Sequence, residues 1–471
     1  MSWLPMDLKT VGALVGQSKV PLPAFTDADD AWVNRCKTDV EILRLAMRDI
    51  WDWIESEDLG VWQRTGAGMA WSNWKHRHMT DRILCSDDES FRVPEATSCY
   101  TGRCEAWMHG RLKKNTFTEW DLPLCYPTIA KEVLLPTQLH SVRHYVKWQR
   151  DYKVTPGYRK LYQATATTDS PTLPTQGPNG IYWPVGTFDG YWWDVEIENA
   201  LAHGATFELH GIQTYRSKPA LQQWATWIID YINSGDDVST PVRRAVAKHW
   251  SRSLVGRFAM QYSPWQDDGA AFPDDFGIHS IVNVDTDEVG EVLTLGDKRW
   301  VAWSKQWGAD THPALLAAVM AEARVRLWQL MVVAGLENVA YVDTDSLVTN
   351  DEGSERLAQH VAKHGAWGLR VKQRFVNLTI LGPRQRLNEG MPAISGVPSG
   401  AERIGESKWT ADTWESLSRS LRKSRPNAVV ITQREFNTRG VDTRRVHLGD
   451  GRTSAVDVGP SVDSGLVSQS A

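Results

Sequence analysis

Residues 336–350 read Leu-Glu-Asn-Val-Ala-Tyr-Val-Asp-Thr-Asp-Ser-Leu-Val-Thr-Asn, and the fold turns on how that stretch is read. Two apolar runs rich in Val and Leu flank a short polar turn carrying Asp343, Thr344, Asp345 and Ser346. The pattern predicts a β-hairpin with its carboxylates at the tip. Side chains alternate along a strand, so Asp343 and Asp345 are expected on one face. Like charges held that close repel unless a cation neutralises them, and hard oxygen ligands suit Mg²⁺ or Mn²⁺. The same residues also suit a plain solvated turn, since Asp and Ser are good turn formers. A calcium loop fits poorly, because the acidic positions and the Gly of an EF-hand do not follow. A phosphatase of the Asp-x-Asp-x-Thr type also begins with an apolar strand running into paired aspartates. That motif normally opens a domain, whereas here most of the chain precedes it.

Residues 341–346 resemble motif C of the family B DNA polymerases, Tyr-x-Asp-Thr-Asp-Ser, at every specified position. Residues 118–128, Thr-Glu-Trp-Asp-Leu-Pro-Leu-Cys-Tyr-Pro-Thr, resemble motif A, Asp-x-x-Ser-Leu-Tyr-Pro. Asp121, Tyr126 and Pro127 are in register, while Leu124 and Cys125 replace Ser and Leu. Residues 243–259 resemble motif B, Lys-x-x-x-Asn-Ser-x-Tyr-Gly-Lys-Phe. Lys248, Ser253, Gly256 and Phe258 match and Arg257 keeps the charge, whereas Arg252 replaces Asn and Val255 replaces Tyr. A helix carrying Arg244, Lys248 and Arg252 at i, i+4 and i+8 presents one cationic ridge. Taken alone, that ridge is also the pattern of a solvated amphipathic helix.

Weaker landmarks follow in the family order. Residues 99–105, with Tyr100, Gly102 and Arg103, resemble the Tyr-x-Gly-Gly segment that holds template strand, with one Gly missing. Residues 183–204 predict a strand, a helix entered at an acidic residue and a Gly stop, similar to a Gly-x-Tyr strand and Glu-bearing helix of the family. Arg384 and Arg386 stand where a Lys-x-Tyr motif touches primer strand.

The resemblance spans roughly residues 95–400. The long interval between Asp121 and Lys248 is similar to the protein-primed branch used by bacteriophages and linear plasmids. What it implies is an α+β, right-hand polymerase: a palm with an antiparallel sheet, fingers and thumb, with insertions between the palm motifs. The palm would take residues 95–135 and 311–395, the fingers 236–265 and the thumb 396–451. Residues 136–235 would hold palm elements and an insertion, chiefly 136–182, that grips a primer protein and downstream duplex. A second insertion, 266–310, would enclose template. Residues 1–94 would be a truncated exonuclease remnant and linker, and 452–471 a disordered tail.

The implied activity is DNA-directed DNA synthesis in phage or plasmid replication. Asp121 and Asp345, with Asp343 as a supporting carboxylate, would hold two Mg²⁺ or Mn²⁺ ions. Lys248 would meet the triphosphate, with Arg244, Arg252, Ser253 and Gly256 completing the nucleotide site. Tyr126 would stack beneath the deoxyribose and exclude a 2′-hydroxyl. Tyr100, Gly102, Arg103, Arg384 and Arg386 would contact DNA. The implied partners are primer-template DNA and dNTPs, with a terminal protein and a separate exonuclease polypeptide as further candidates. The alternative class is a non-catalytic, polymerase-derived DNA-binding protein, which the changes at Leu124, Arg252 and Val255 favour.

The exonuclease pattern is the weakest part of the resemblance. Asp39 matches the last exonuclease motif, Tyr-x-x-x-Asp, but Arg35 stands in place of its Tyr and no Asp-x-Glu precedes it. Proofreading needs metal carboxylates from all three motifs, so this chain alone is expected not to proofread.

Composition is compatible with these readings. The 471 residues allow several subdomains. A net charge of −5 excludes a uniformly basic nucleic-acid binder and directs attention to local clusters such as Arg370, Lys372, Arg374, Arg384 and Arg386. A second cluster is Arg419, Arg422, Lys423 and Arg425. Five cysteines without a Cys-x-x-Cys pair suggest a reducing compartment and no zinc site. No long apolar run predicts a membrane span, so a cytoplasmic location is expected. The 24 Trp residues are expected mainly in the core rather than as base-stacking platforms. Residues 313–333 predict a helix, with Pro313 in its first turn and Gly335 past its end, packed under the motif C sheet.

Overall fold

The computed structural model describes residues 3–460 except 5, 25, 87, 113–115, 145–152, 236–237, 264, 270–274, 304–305, 309, 389–390, 399, 406, 425–430 and 438–441. At its centre lies a five-stranded antiparallel sheet. Its strands are β1 (Cys104–Ala106), β2 (Phe117–Asp121), β3 (Val339–Asp343), β4 (Ser346–Thr349) and β5 (Arg370–Phe375). The spatial order β1-β3-β4-β2-β5 inserts the motif C hairpin between two strands that come from the motif A region.

Both faces of this sheet are covered, which explains why its strands read as nearly continuous apolar runs. Trp120, Val342 and Leu347 belong to the main core, while Ala340, Tyr341, Val348, Phe117 and Phe375 fill a second cluster on the other side. Four helices carry most of the remaining argument: α1 (Asp29–Ser56), α2 (Cys125–Glu132), α3 (Pro241–Arg257) and α4 (Pro313–Ala334). The expected helix at 313–333 is α4, a mainly apolar helix buried along most of its length, whose Glu322, Arg324 and Arg326 are held in ion pairs. It ends at Gly335, whose φ of +84° is ready for Gly and strained for other residues.

Around this central sheet stand three further sheets. Leu135–His144, Thr206–Lys218, Tyr158–Thr168 and Gly186–Trp193 form one, in that order. It is bound to α4 by Arg159, whose guanidinium lies 2.7 Å from Asp194 and 3.1 Å from Glu322. Gln266–Asp267, Lys298–Ala302, Val289–Gly296 and Asp275–Val282 form the second. Glu402–Arg403, Lys408–Trp414 and Ile431–Asn437 form the third, with the helix Leu417–Arg422 beside the second sheet through an Arg422–Glu291 pair at 2.6 Å. Arg425, named with the basic thumb cluster, lies outside the described residues.

Where described, residues 1–94 form helices that pack into the main core. Ile42, Ala46, Ile50 and Trp53 make the buried stripe of α1, and Trp53 stacks on Trp250 of α3 at 5.0 Å. Asp39 pairs with Arg35 at 3.8 Å on that same helix. One expectation is corrected here: the tail is not wholly disordered. Thr453–Ala455 pairs with Arg445–His447, and the Thr453 N–H donates to the Trp107 carbonyl at 3.0 Å. Arg445 reaches the buried Glu105 at 2.8 Å, which anchors this return segment to β1. Residues 461–471 lie outside the described part of the chain.

Tryptophan behaves as expected: Trp53, Trp74, Trp183, Trp192, Trp193, Trp224, Trp250 and Trp328 are among the largest fully buried side chains. The five cysteines are free. No helix among the described residues is long and apolar enough to cross a membrane.

Candidate active site

Strand β2 ends in Asp121, which lies directly opposite Ser346 of β4 and Arg370 of β5. The hairpin turn is tight: Thr344 takes φ +62°, and the Asp345 N–H donates to the Asp343 carbonyl at 2.7 Å. The Asp345 carbonyl accepts from the Leu122 N–H at 2.8 Å, so the backbone itself docks the turn onto the end of β2. From the other side the Thr344 N–H donates to the Arg103 carbonyl at 2.7 Å. A Cβ at Gly102 would come within 2.7–3.0 Å of the Thr344 side chain, so any larger residue under the turn would force Thr344 to shift.

Beyond Asp121 the chain turns through Leu124, held at φ +51°, and enters α2 with Tyr126 in its first turn. A left-handed Leu is strained, and such strain persists where the surroundings over-determine the backbone. The result is a cavity of about 380 Å³ walled below by Asp121, Tyr126 and Asp345 and above by Lys248, Ser251 and Arg252 of α3. Arg370 and Lys372 close one side, Ile232 and Asn233 another. Three distant segments thus converge on one space.

Electrostatics marks the floor of the cavity as short of positive charge. Burial raises the Asp345 carboxyl to about 6, and the neighbouring Asp121 carboxylate adds to it, against the opposing pull of Arg252 and Lys372. Burial also raises the Tyr126 phenol, so it stays a neutral hydroxyl near neutrality. Lys372 approaches Asp121 at 3.6 Å and Glu119 at 3.1 Å. Burial would raise Glu119, but Arg386, Gln373 and Lys372 outweigh it and hold this carboxyl below its ordinary range. An anionic pair of oxygen donors, one of them destabilised as the carboxylate, is chemically suited to a divalent cation. No group of three or more metal-type side chains occurs among the described residues, so two carboxylates are the available core of such a site.

Several expected site residues are placed elsewhere. Asp343 does not share the face of Asp345, because the tight turn redirects it: its carboxylate lies 3.6 Å from the Arg384 guanidinium, and the Tyr341 hydroxyl donates to it at 3.4 Å. Arg244 does not extend the ridge into the cavity; its guanidinium donates to the Ser239 carbonyl at 2.6 Å. Ser253 donates to the Trp250 carbonyl at 3.5 Å and Gly256 is exposed, whereas Ser251 lines the cavity. The helix period explains this, since 248, 251, 252 and 255 share one face and 253 does not.

The expected template contacts are corrected as well. Tyr100 is buried in the core of the first side sheet, where its hydroxyl accepts from the Tyr191 N–H at 3.4 Å. Arg103 is buried against Glu105 and the rings of Trp107, Trp183 and Trp328. Tyr100, Gly102 and Arg103 therefore buttress the hairpin from beneath. Arg386 is committed to Glu119 at 3.0 Å, while Arg384 keeps about half of its side chain exposed. Lys372 and Glu119 were missed as site residues. Glu119 had a usable signal, lying two residues from Asp121 on the same strand face. Lys372 depended on a register shift between Val371 and Gln373 that has no sequence signature.

No protein-family model matches the chain, and no curated protein does. Solved structures do. The chain is similar to phi29 DNA polymerase complexed with primer-template DNA, at 12% identity and a TM-score of 0.64, over 92% of this chain and 78% of that one. It is equally similar to the phi29 ternary complex with primer-template DNA and incoming nucleotide substrates, at 13% identity, a TM-score of 0.64 and the same coverage. The fold is thus shared with phi29 DNA polymerase.

Proposed function

We propose that this chain is a DNA-directed DNA polymerase that extends a primer by metal-assisted nucleotidyl transfer. The observation that carries the reading is the convergence of Asp121, Asp345 and Tyr126 beneath Lys248 and Arg252 in one cavity. A fold shared with phi29 DNA polymerase supports it.

In this reading Asp121 and Asp345 hold Mg²⁺ or Mn²⁺, while Asp343, paired with Arg384, supports the hairpin from outside the cavity. When bound, such ions make the primer hydroxyl more acidic and stabilise charge on the leaving pyrophosphate. Lys248 and Arg252 neutralise the triphosphate from above, which orients the α-phosphate toward the floor. Tyr126, neutral and half-buried, packs beneath the deoxyribose and leaves no room for a 2′-hydroxyl. Arg384 is the exposed cation for the primer backbone. The polymerase acts in phage or plasmid DNA replication, with a terminal protein and a separate exonuclease polypeptide as partners, and this chain alone does not proofread.

One observation favours the alternative, a DNA-binding protein that has lost catalysis. Lys372 and Arg384 each occupy a carboxylate of the motif set. Primer extension on a short duplex with Mg²⁺ and dNTPs separates the two readings. Elongated product supports the polymerase; binding of the duplex without any extension supports the alternative. Giving the enzyme a primer mispaired at its 3′ end tests proofreading in the same assay, since trimming before extension would contradict that part.

A further inference from the structure

Lys372 stands out among the charged groups of the molecule because it joins a buried anchor to a cavity carboxylate. Glu119 is 1% exposed and is fixed from the far side by Arg386 at 3.0 Å. Lys372 meets it at 3.1 Å, and the same ammonium lies 3.6 Å from Asp121. Asp345, the other floor carboxylate, has no such ion pair among the described residues and feels Arg252 and Lys372 at longer range. The Lys side chain is about half exposed, so its long stem is free to shift.

The geometry points to Lys372 as a positioning residue that holds Asp121 by charge and competes with a divalent cation for it. This deepens the proposed function and rests on Asp121 and Asp345 being the metal ligands. In the metal-free protein the ammonium neutralises Asp121 and fixes its orientation. A cation shared by Asp121 and Asp345 must push the ammonium back, and Glu119 is there to receive it. The protein alone therefore binds divalent cations weakly, and the charge of the primer and nucleotide is needed to tip the balance.

The test is titration of the full chain with Mn²⁺ alone, without DNA or nucleotide, following the paramagnetic resonance signal of the free ion. Lys372→Met is expected to bind Mn²⁺ about tenfold more tightly, the effect of one unit charge at a few ångströms where water still enters. Lys372→Arg keeps the charge and is expected to bind as weakly as wild type. Glu119→Gln gives the opposite sign: with its anchor gone the ammonium stays on Asp121, and Mn²⁺ binding weakens further. Unchanged or weaker binding by Lys372→Met, with binding still lost in Asp121→Asn, overturns this inference and leaves the polymerase reading intact. Binding that is indifferent to both Asp121→Asn and Asp345→Asn overturns both.

Discussion

The backbone N–H of Leu122 donates to the carbonyl of Asp345 across 2.8 Å, although 223 positions of chain numbering separate motif A from the hairpin tip it joins. That bond fixes the two carboxylates of the cavity floor relative to each other through main chain alone. Side-chain substitutions at Asp121 and Asp345 should therefore change charge without moving the hairpin, and function can be read separately from folding.

The ceiling of the cavity makes a sharp contrast between neighbouring cations of one helix. Lys248→Ala and Arg252→Ala should raise the KM for dNTP, by roughly 10- to 100-fold for Lys248, the scale of a lost charge-assisted contact. Arg244→Ala should leave KM within about threefold, because its guanidinium already serves the Ser239 carbonyl. Steady-state kinetics with varied dNTP checks both. Equal effects at 244 and 248 would show that the ridge acts as one surface.

Gly102 supports the turn from below. Gly102→Ala puts a methyl within 3.0 Å of Thr344 and should displace the tip that carries Asp345. The expected cost is about 1–3 kcal/mol of stability from overpacking, accompanied by a fall in kcat larger than the fall in KM. Melting and single-turnover rates measured on the same variant check this. Full activity with an unchanged melting point would remove Gly102 from the support of the site.

In the proposed polymerase, Tyr126 of the cavity floor senses the sugar. Tyr126→Ala should extend with ribonucleotides at a rate approaching that with deoxyribonucleotides, while Tyr126→Phe should discriminate like wild type, since exclusion is steric and the hydroxyl is neutral. Competition between the two nucleotide types on one primer gives the ratio. Unaltered discrimination by Tyr126→Ala would place the sugar elsewhere.

Glu95 makes a pH prediction independent of catalysis. Burial raises its carboxyl from 4.5 to about 7, opposed by the Tyr215 hydroxyl that donates to it and by Arg92. Between those values the unfolded chain releases a proton that the folded state keeps, so stability falls as pH rises through the window and stays lower above it. The whole effect is about 3 kcal/mol. Urea unfolding midpoints at pH 5 and pH 8 should diverge in wild type and draw together in Glu95→Gln, which keeps a partner for Tyr215. An undiminished pH slope in that variant would assign the effect to other groups.

What the sequence disclosed was local. The Val-Leu runs around Asp343, the Pro313 start and Gly335 stop of α4, and the acidic entry of the helix Asp194–Ala202 all follow from rules acting within a few residues. Long-range placement was not disclosed. Arg103 reads as a surface cation yet is enclosed by three Trp rings, because its neighbours come from positions 107, 183 and 328. Asp343 and Asp345 share parity in the sequence, but the turn at Thr344 breaks the strand between them, so alternation no longer governs their faces. The packing of the N-terminal helices was legible in part, since Ile42, Ala46, Ile50 and Trp53 stand at helical spacing along the buried stripe of α1.

In the proposed polymerase, Asp121 and Asp345 together perform the chemistry. Single-turnover primer extension with Mg²⁺, comparing wild type with Asp121→Asn and Asp345→Asn at matched primer-template occupancy, tests it most directly. Wild type should give product and each variant should lose at least about 10³-fold in rate, with duplex affinity retained. Extension by Asp345→Asn at close to the wild-type rate would contradict it.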